Sequence, residues 1–149
     1  MFDELLRLLT GSDQADPAAD DPAFALAALL IETARSDDRV EAREESVIAR
    51  ALARRFGLVP DQVRHLIEAA ERSARAATDL YRFTRVVVDN FTEEERIAVI
   101  EMLWEVAYSD GNLSGDEDTL IRRVAGLIYV SDRDRGEAKR RARERLLGK

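Results

Sequence analysis

The sequence predicts an all-α fold: a compact multi-helix domain of about seven helices, built from two helical-hairpin repeats related by a pseudo-two-fold. Three observations lead there. Apolar residues recur at helical period in one segment after another. The 149 residues include only three prolines and seven glycines, few for an all-β chain with its many turns. The single strand-like run, "VVV" at 86–88, has no second candidate to pair with and is read as helical.

Taken in order, Phe2, Leu5, Leu6 and Leu9 fall on one side of a short amphipathic helix, residues 1–10. "GSDQADPAADDP", residues 11–22, is small, acidic and proline-containing, and reads as a linker before a domain spanning 23–149. Pro22 suits the first position of the next helix, where its missing N–H costs nothing. Phe24, Ala27, Leu30, Ile31 and Ala34 give that helix an apolar face. Val47, Ile48, Ala51, Leu52 and Phe56 form the next face, and Gly57 stops the helix. Pro60 and Asp61 open another, with Val63, Leu66, Ile67 and Ala70 on its buried side. A further segment, about 78–90, puts Leu80, Phe83, Val87 and Phe91 in register. Thr92 and Glu95 stand at capping-box spacing before Ile97, Ile100, Leu103, Trp104 and Ala107. Ser114 and Glu117 repeat that spacing before Leu120, Ile121, Val124, Leu127 and Ile128. The last helix, about 133–147, has only a thin stripe of Ala138, Ala142 and Leu146. Trp104, Tyr81, Phe83 and Phe91 sit at core spacing.

Composition excludes several chemistries. With no cysteine there are no disulfides, thiolate nucleophiles or cysteine zinc sites. The lone histidine, His65, has no catalytic or ligating companions at useful spacing and reads as a solvated side chain. A net charge of −7 argues against non-specific nucleic-acid binding. The N-terminus lacks the long apolar core of a secretory signal. The longest apolar run, Ala23 to Ile31, is too short to span a bilayer. A cytoplasmic protein is expected.

The chain repeats itself. "ARSDDRVEAREESVI" (34–48) and "AYSDGNLSGDEDTLI" (107–121) align at a constant shift of 73. Ala34 matches Ala107, Ser36 matches Ser109, Asp37 matches Asp110, Glu44 matches Glu117 and Ile48 matches Ile121. The register extends back to Leu30 over Leu103 and Glu32 over Glu105, and forward to Val47 over Leu120 and Ala51 over Val124. Apolar matches are common between helices, whereas matched Ser, Asp and Glu are not. One structural unit used twice is the natural explanation.

The turn "SDGNLSGDEDTLI", following an apolar helix with Trp104, resembles the tellurite-resistance TerB family. So do the degenerate copy "SDDRVEAREESVI" and the tail "YVSDRDRGEAKRRA", residues 129–142. The likeness runs from about Phe24 to Arg143. It implies an all-helical two-repeat domain with clustered acids, acting in tellurite and other stress responses in the cytoplasm or peripheral to the inner membrane. It implies no known reaction. Asp38 stands where the second copy has Gly111, and tolerates a left-handed turn less well.

Two readings of the acidic turns stay open. In the first they are only corners: Gly111 supplies the left-handed residue after one helix, Leu113 plugs the core, Ser114 caps the next helix, and Glu117 reaches back to its free N–H groups. In the second, Asp37, Asp38, Glu44, Asp110, Asn112 and Glu117 form a shared cation site. Its all-oxygen donors favour Ca²⁺, Mg²⁺ or Mn²⁺. A calcium loop of EF-hand type fails, because Val106 and Tyr108 would occupy its first ligand positions.

The expected function is therefore a non-enzymatic stress-response module, with a divalent cation as its one candidate cofactor. The alternative is a structural or adaptor protein with no metal, docking a protein partner through its N-terminal helix and acidic linker. Residues 132–149 carry eight Lys or Arg against four acids, which leaves peripheral contact with an anionic membrane open. The simpler expectation is a docked helix with a solvated basic face. Metal-assisted hydrolysis ranks last, for want of a nucleophile or phosphate loop.

Overall fold

The computed structural model describes residues 21–34, 42–76, 80–109 and 115–147. Seven helices run through them: α1 (Pro22–Ala34), α2 (Ala42–Phe56), α3 (Pro60–Ala76), α4 (Leu80–Asn90), α5 (Glu93–Ala107), α6 (Gly115–Leu127) and α7 (Asp132–Leu147). No strand occurs among the described residues. The predicted helix at residues 1–10 lies outside them, as does most of the linker.

α1 is the axis of the domain. Asp21 Oδ1 accepts from the Ala23 N–H at 2.9 Å, and Pro22 takes the first helical position, so the helix starts capped. Twelve of its thirteen residues are buried, where one apolar face was expected. Ala23, Ala25, Leu26, Ala28 and Leu29 are covered along with Phe24, Ala27, Leu30, Ile31 and Ala34. An all-round apolar sequence is that of a core helix, and its alanines let neighbours come close. α1 packs against α2, α3, α4, α5 and α6. Phe24 meets Phe83 of α4 edge to face, with centroids 6.0 Å apart.

The other helices place their ends where local chemistry dictates. Gly57, at φ +66°, ends α2, and the Leu58 N–H bonds back to the Ala53 carbonyl at 3.3 Å. Pro60 opens α3, with Gln62 Oε1 accepting from the Val59 N–H at 3.0 Å. The three valines at 86–88 are helical, and Val87 is fully buried. Tyr81, by contrast, is 60% exposed and is not a core residue: it shares α4 with Phe83 but lies off the buried stripe. The capping box of α5 forms as expected: Thr92 Oγ1 accepts from the Glu95 N–H at 3.2 Å, and Glu95 Oε1 accepts from the Thr92 N–H at 2.8 Å. Ser131 caps α7 through the Asp134 N–H at 3.1 Å.

α6 ends without glycine. Tyr129 adopts φ +62°, the Val130 N–H bonds to the Ala125 carbonyl at 2.9 Å, and Tyr129 is 73% exposed. A side chain that packs little gains nothing from this strained backbone. Tyr129→Gly is expected to raise stability by about 0.5–1 kcal/mol, after the extra unfolded-state freedom of glycine is counted. Urea denaturation followed by circular dichroism measures it, and a loss of stability would mean that Tyr129 makes a contact worth more than the strain.

Candidate functional site

Two helix pairs flank the acidic turns at equivalent positions. α1 ends at Ala34 and α5 at Ala107, while α2 begins at Ala42 and α6 at Gly115, an offset of 73 at both boundaries. Glu44 and Glu117 therefore occupy the same third position of their helices. There a carboxylate meets free backbone N–H groups and the favourable end of the helix dipole. Both side chains are buried, at 6% and 7% relative exposure, and both are engaged by polar or electrostatic neighbours. Repeat mates elsewhere agree in burial: Leu30 with Leu103, Ile48 with Ile121, Ala51 with Val124 and Ala34 with Ala107 are all fully or almost fully covered. α2 and α6 each pack against both α1 and α5, the helices that lead into them.

Of the six predicted cation ligands, Glu44 and Glu117 are thus placed. Asp37, Asp38, Asp110 and Asn112 lie outside the described residues, as do Leu113 and Ser114. Among the described residues no group of three or more His, Asp or Glu side chains gathers as a metal cluster. Val106 is fully buried within α5 and Tyr108 is 7% exposed at its cap, so neither is a ligand of an EF-hand loop. The cap of α5 is Tyr108, whose N–H bonds to the Trp104 carbonyl at 2.9 Å, and Ser109 Oγ donates to the Val106 carbonyl at 2.7 Å. Asp110 and Gly111, the expected stop, lie outside the described residues. His65 is exposed, as a solvated side chain should be.

A second polar constellation was not foreseen. The basic tail helix α7 is held to α5 by ion pairs. Arg141 Nε donates to Glu101 Oε1 at 2.9 Å, and Arg145 donates to both Glu101 and Glu105. Arg54 of α2 stands 3.9 Å from Glu105 on another side. Lys139 reaches Asp118 of α6 at 3.5 Å and lies 4.8 Å over the Trp104 ring. Burial alone would raise the Glu101 pKa, but the guanidinium hydrogen bonds of Arg141 and Arg145 outweigh it and hold the carboxyl below its usual range. The signal was in the sequence: Glu101 and Glu105 are four apart, and so are Arg141 and Arg145, a matched pair of helical rungs. Burial of Ala138 and Ala142 completes the seam. Three cations of the tail are thereby spent inside the domain, while Arg133, Arg140 and Arg143 face solvent. No helix among the described residues is long and apolar enough to cross a membrane.

No curated protein matches the chain. Among solved structures it is similar to a protein of unknown function from Porphyromonas gingivalis W83. The TM-score is 0.60 and the identity 19%, over 90% of this chain and 96% of that one, a likeness of fold. The family described as tellurite resistance protein TerB matches residues 23–140, from the second residue of α1 into α7. The match takes in both acidic turns and the α5 side of the seam, stopping just short of Arg141 and Arg145, and on that extent the chain belongs to the TerB family.

Proposed function

We propose that this chain is a non-enzymatic TerB-like module of the cytoplasmic tellurite or stress response, binding a divalent cation through its paired acidic turns. The observation that carries the reading is the equivalence of Glu44 and Glu117: two carboxylates, one repeat apart, each buried in the first turn of its helix. Burying a carboxylate is costly unless charge or hydrogen bonds compensate it. The helix N-terminus compensates part. A hard cation would compensate more if Asp37, Asp38, Asp110 and Asn112 converged on the same place about a pseudo-two-fold. The donor set suits Ca²⁺, Mg²⁺ or Mn²⁺, since every candidate ligand atom is an oxygen. Nothing in the donor set supplies a nucleophile, so binding rather than turnover is the proposed activity.

Thermal unfolding with each metal tests this. A ligand at about 100 times its Kd adds about 2.7 kcal/mol, which in a domain of this size raises Tm by about 5–10 °C. The rise is expected with at least one of the three ions and is expected to vanish in Asp37→Asn/Asp110→Asn. Unchanged Tm with all three ions at millimolar concentration overturns the proposal.

A second reading, an adaptor without metal, draws on the exposed Tyr81 and Tyr129. On α4 the Tyr81 hydroxyl accepts from Arg85 at 3.4 Å, and Arg85 also pairs with Asp89 at 3.6 Å. Exposed aromatics beside arginine are common anchors of protein interfaces. A silent metal titration would favour this reading.

A further inference from the structure

Between α2 and α3 lies an open groove of about 520 Å³. Its floor is apolar: Leu58, Val63 and Ile67 are buried there, and Ala49 and Ala53, one turn apart on α2, keep the trough open because they are small. Glu45, Arg50 and Arg64 stand on its rim. Arg64 is paired with Asp61 at 3.2 Å, whereas Glu45 and Arg50 make no ion pair among the described residues. Val59, in the turn joining the two helices, is 55% exposed. A trough of this size and character accepts an amphipathic helix that inserts side chains at i, i+3, i+4 and i+7.

The chain carries such a segment. In "MFDELLRLLT", residues 1–10, Phe2, Leu5, Leu6 and Leu9 have that spacing. The segment bears two acids, Asp3 and Glu4, and one base, Arg7, against two bases and one acid on the rim. Residues 11–20 join it to Asp21. Ten extended residues reach about 33–36 Å, and a domain of this size is about 36 Å across, so the groove is within range. A tether of ten residues corresponds to an effective concentration of about 1 mM, at which even a weak contact is substantially occupied.

We infer that the groove between α2 and α3 is the seat of the chain's own N-terminal segment, bound within the same molecule with Phe2, Leu5, Leu6 and Leu9 facing inward. The segment is thus a built-in competitor for any helix that would use this groove. The inference is independent of the cation reading.

The absence of cysteine makes the test clean. Thr10→Cys in the full chain, carrying a nitroxide, is expected to broaden the amides of residues 49–53 and 63–67, with signal lost by about twofold or more at half occupancy. The broadening is expected to persist on dilution. It is expected to disappear in Leu5→Asp/Leu6→Asp and in Ala53→Arg, which blocks the trough. Broadening centred elsewhere, broadening that survives Leu5→Asp/Leu6→Asp, or none at all overturns the inference. So does broadening that appears only when nitroxide-labelled and isotope-labelled chains are mixed, since the occupant would then be a second copy.

Discussion

Trp104→Ala is expected to remove about 3–5 kcal/mol of stability, the usual cost of emptying a large buried aromatic site. Trp104 is 1% exposed and among the largest fully covered side chains in the domain. It stacks obliquely on Tyr108 with centroids 6.2 Å apart and carries Lys139 over its face. Small domains hold only about 5–15 kcal/mol in reserve, so the loss is expected to leave part of the population unfolded at 37 °C. One detail sharpens the expectation. The indole Nε1 is buried without a hydrogen-bond partner among the described residues. A buried orphan donor is itself unfavourable. Trp104→Phe removes that donor with much of the ring kept, and is expected to cost less than half as much as Trp104→Ala. Urea midpoints by circular dichroism measure both. Equal costs would mean that the indole nitrogen is satisfied, for instance by an ordered water, and that its hydrogen bond matters.

Arg141→Glu/Arg145→Glu is expected to cost about 2–3 kcal/mol and to loosen α7 from α5. The magnitude lies between the small value of exposed pairs and the large one of buried pairs. Glu105 and Glu101 are 8% and 16% exposed at the side chain, whereas Arg145 and Arg141 are 49% and 39% exposed. The carboxylates thus lose their compensation in a place where water reaches them poorly, and they meet new negative charge. Exchanging the charges as well, with Glu101→Arg, is expected to recover part of the loss, and only part, because Glu105 stays opposite a glutamate. The same seam gives the domain an acid limit. The folded-state pKa of Glu101 is depressed, so its contribution is present above the unfolded value and is lost as pH falls through the folded one. Stability is expected to decline as the pH drops below the usual carboxylate range, and to decline less in Arg141→Glu/Arg145→Glu. Parallel acid titrations of the two proteins would reveal a shared slope if Glu101 had no part in it.

Much of this architecture was legible beforehand because its signals are local. Pro22, Gly57, Pro60 and the Thr92–Glu95 pair act on backbone groups within a few residues, and each sits where expected. The valine run at 86–88 was resolved by the want of a partner strand, which is also a property of the sequence. What escaped depends on other elements. The all-round apolar sequence of α1 is itself the mark of a core helix, although only one face of it was named as apolar; which five helices cover it is not written within it. Tyr129 adopts a left-handed backbone that glycine would advertise and tyrosine hides. Tyr81 sits near a core stripe but off it, a difference of one helical position. The clasp of α7 needs two pairs of rungs 40 residues apart to be matched, and periodicity within one helix is blind to that. Of the acidic site, the burial of Glu44 and Glu117 could not be foreseen either: glutamate at the third position of a helix caps as well in water as in a pocket.

The all-round covering of α1 has a consequence for how the chain is made. α1 leaves the ribosome before every helix that encloses it, and α5 and α6, which close its last sides, begin 71 and 93 residues after it does. Until then a thirteen-residue apolar rod has no complete shelter, and no amino-terminal fragment can be stable alone. The protein is expected to acquire its structure in one late, cooperative event, with holdase chaperones covering the exposed rod while synthesis continues.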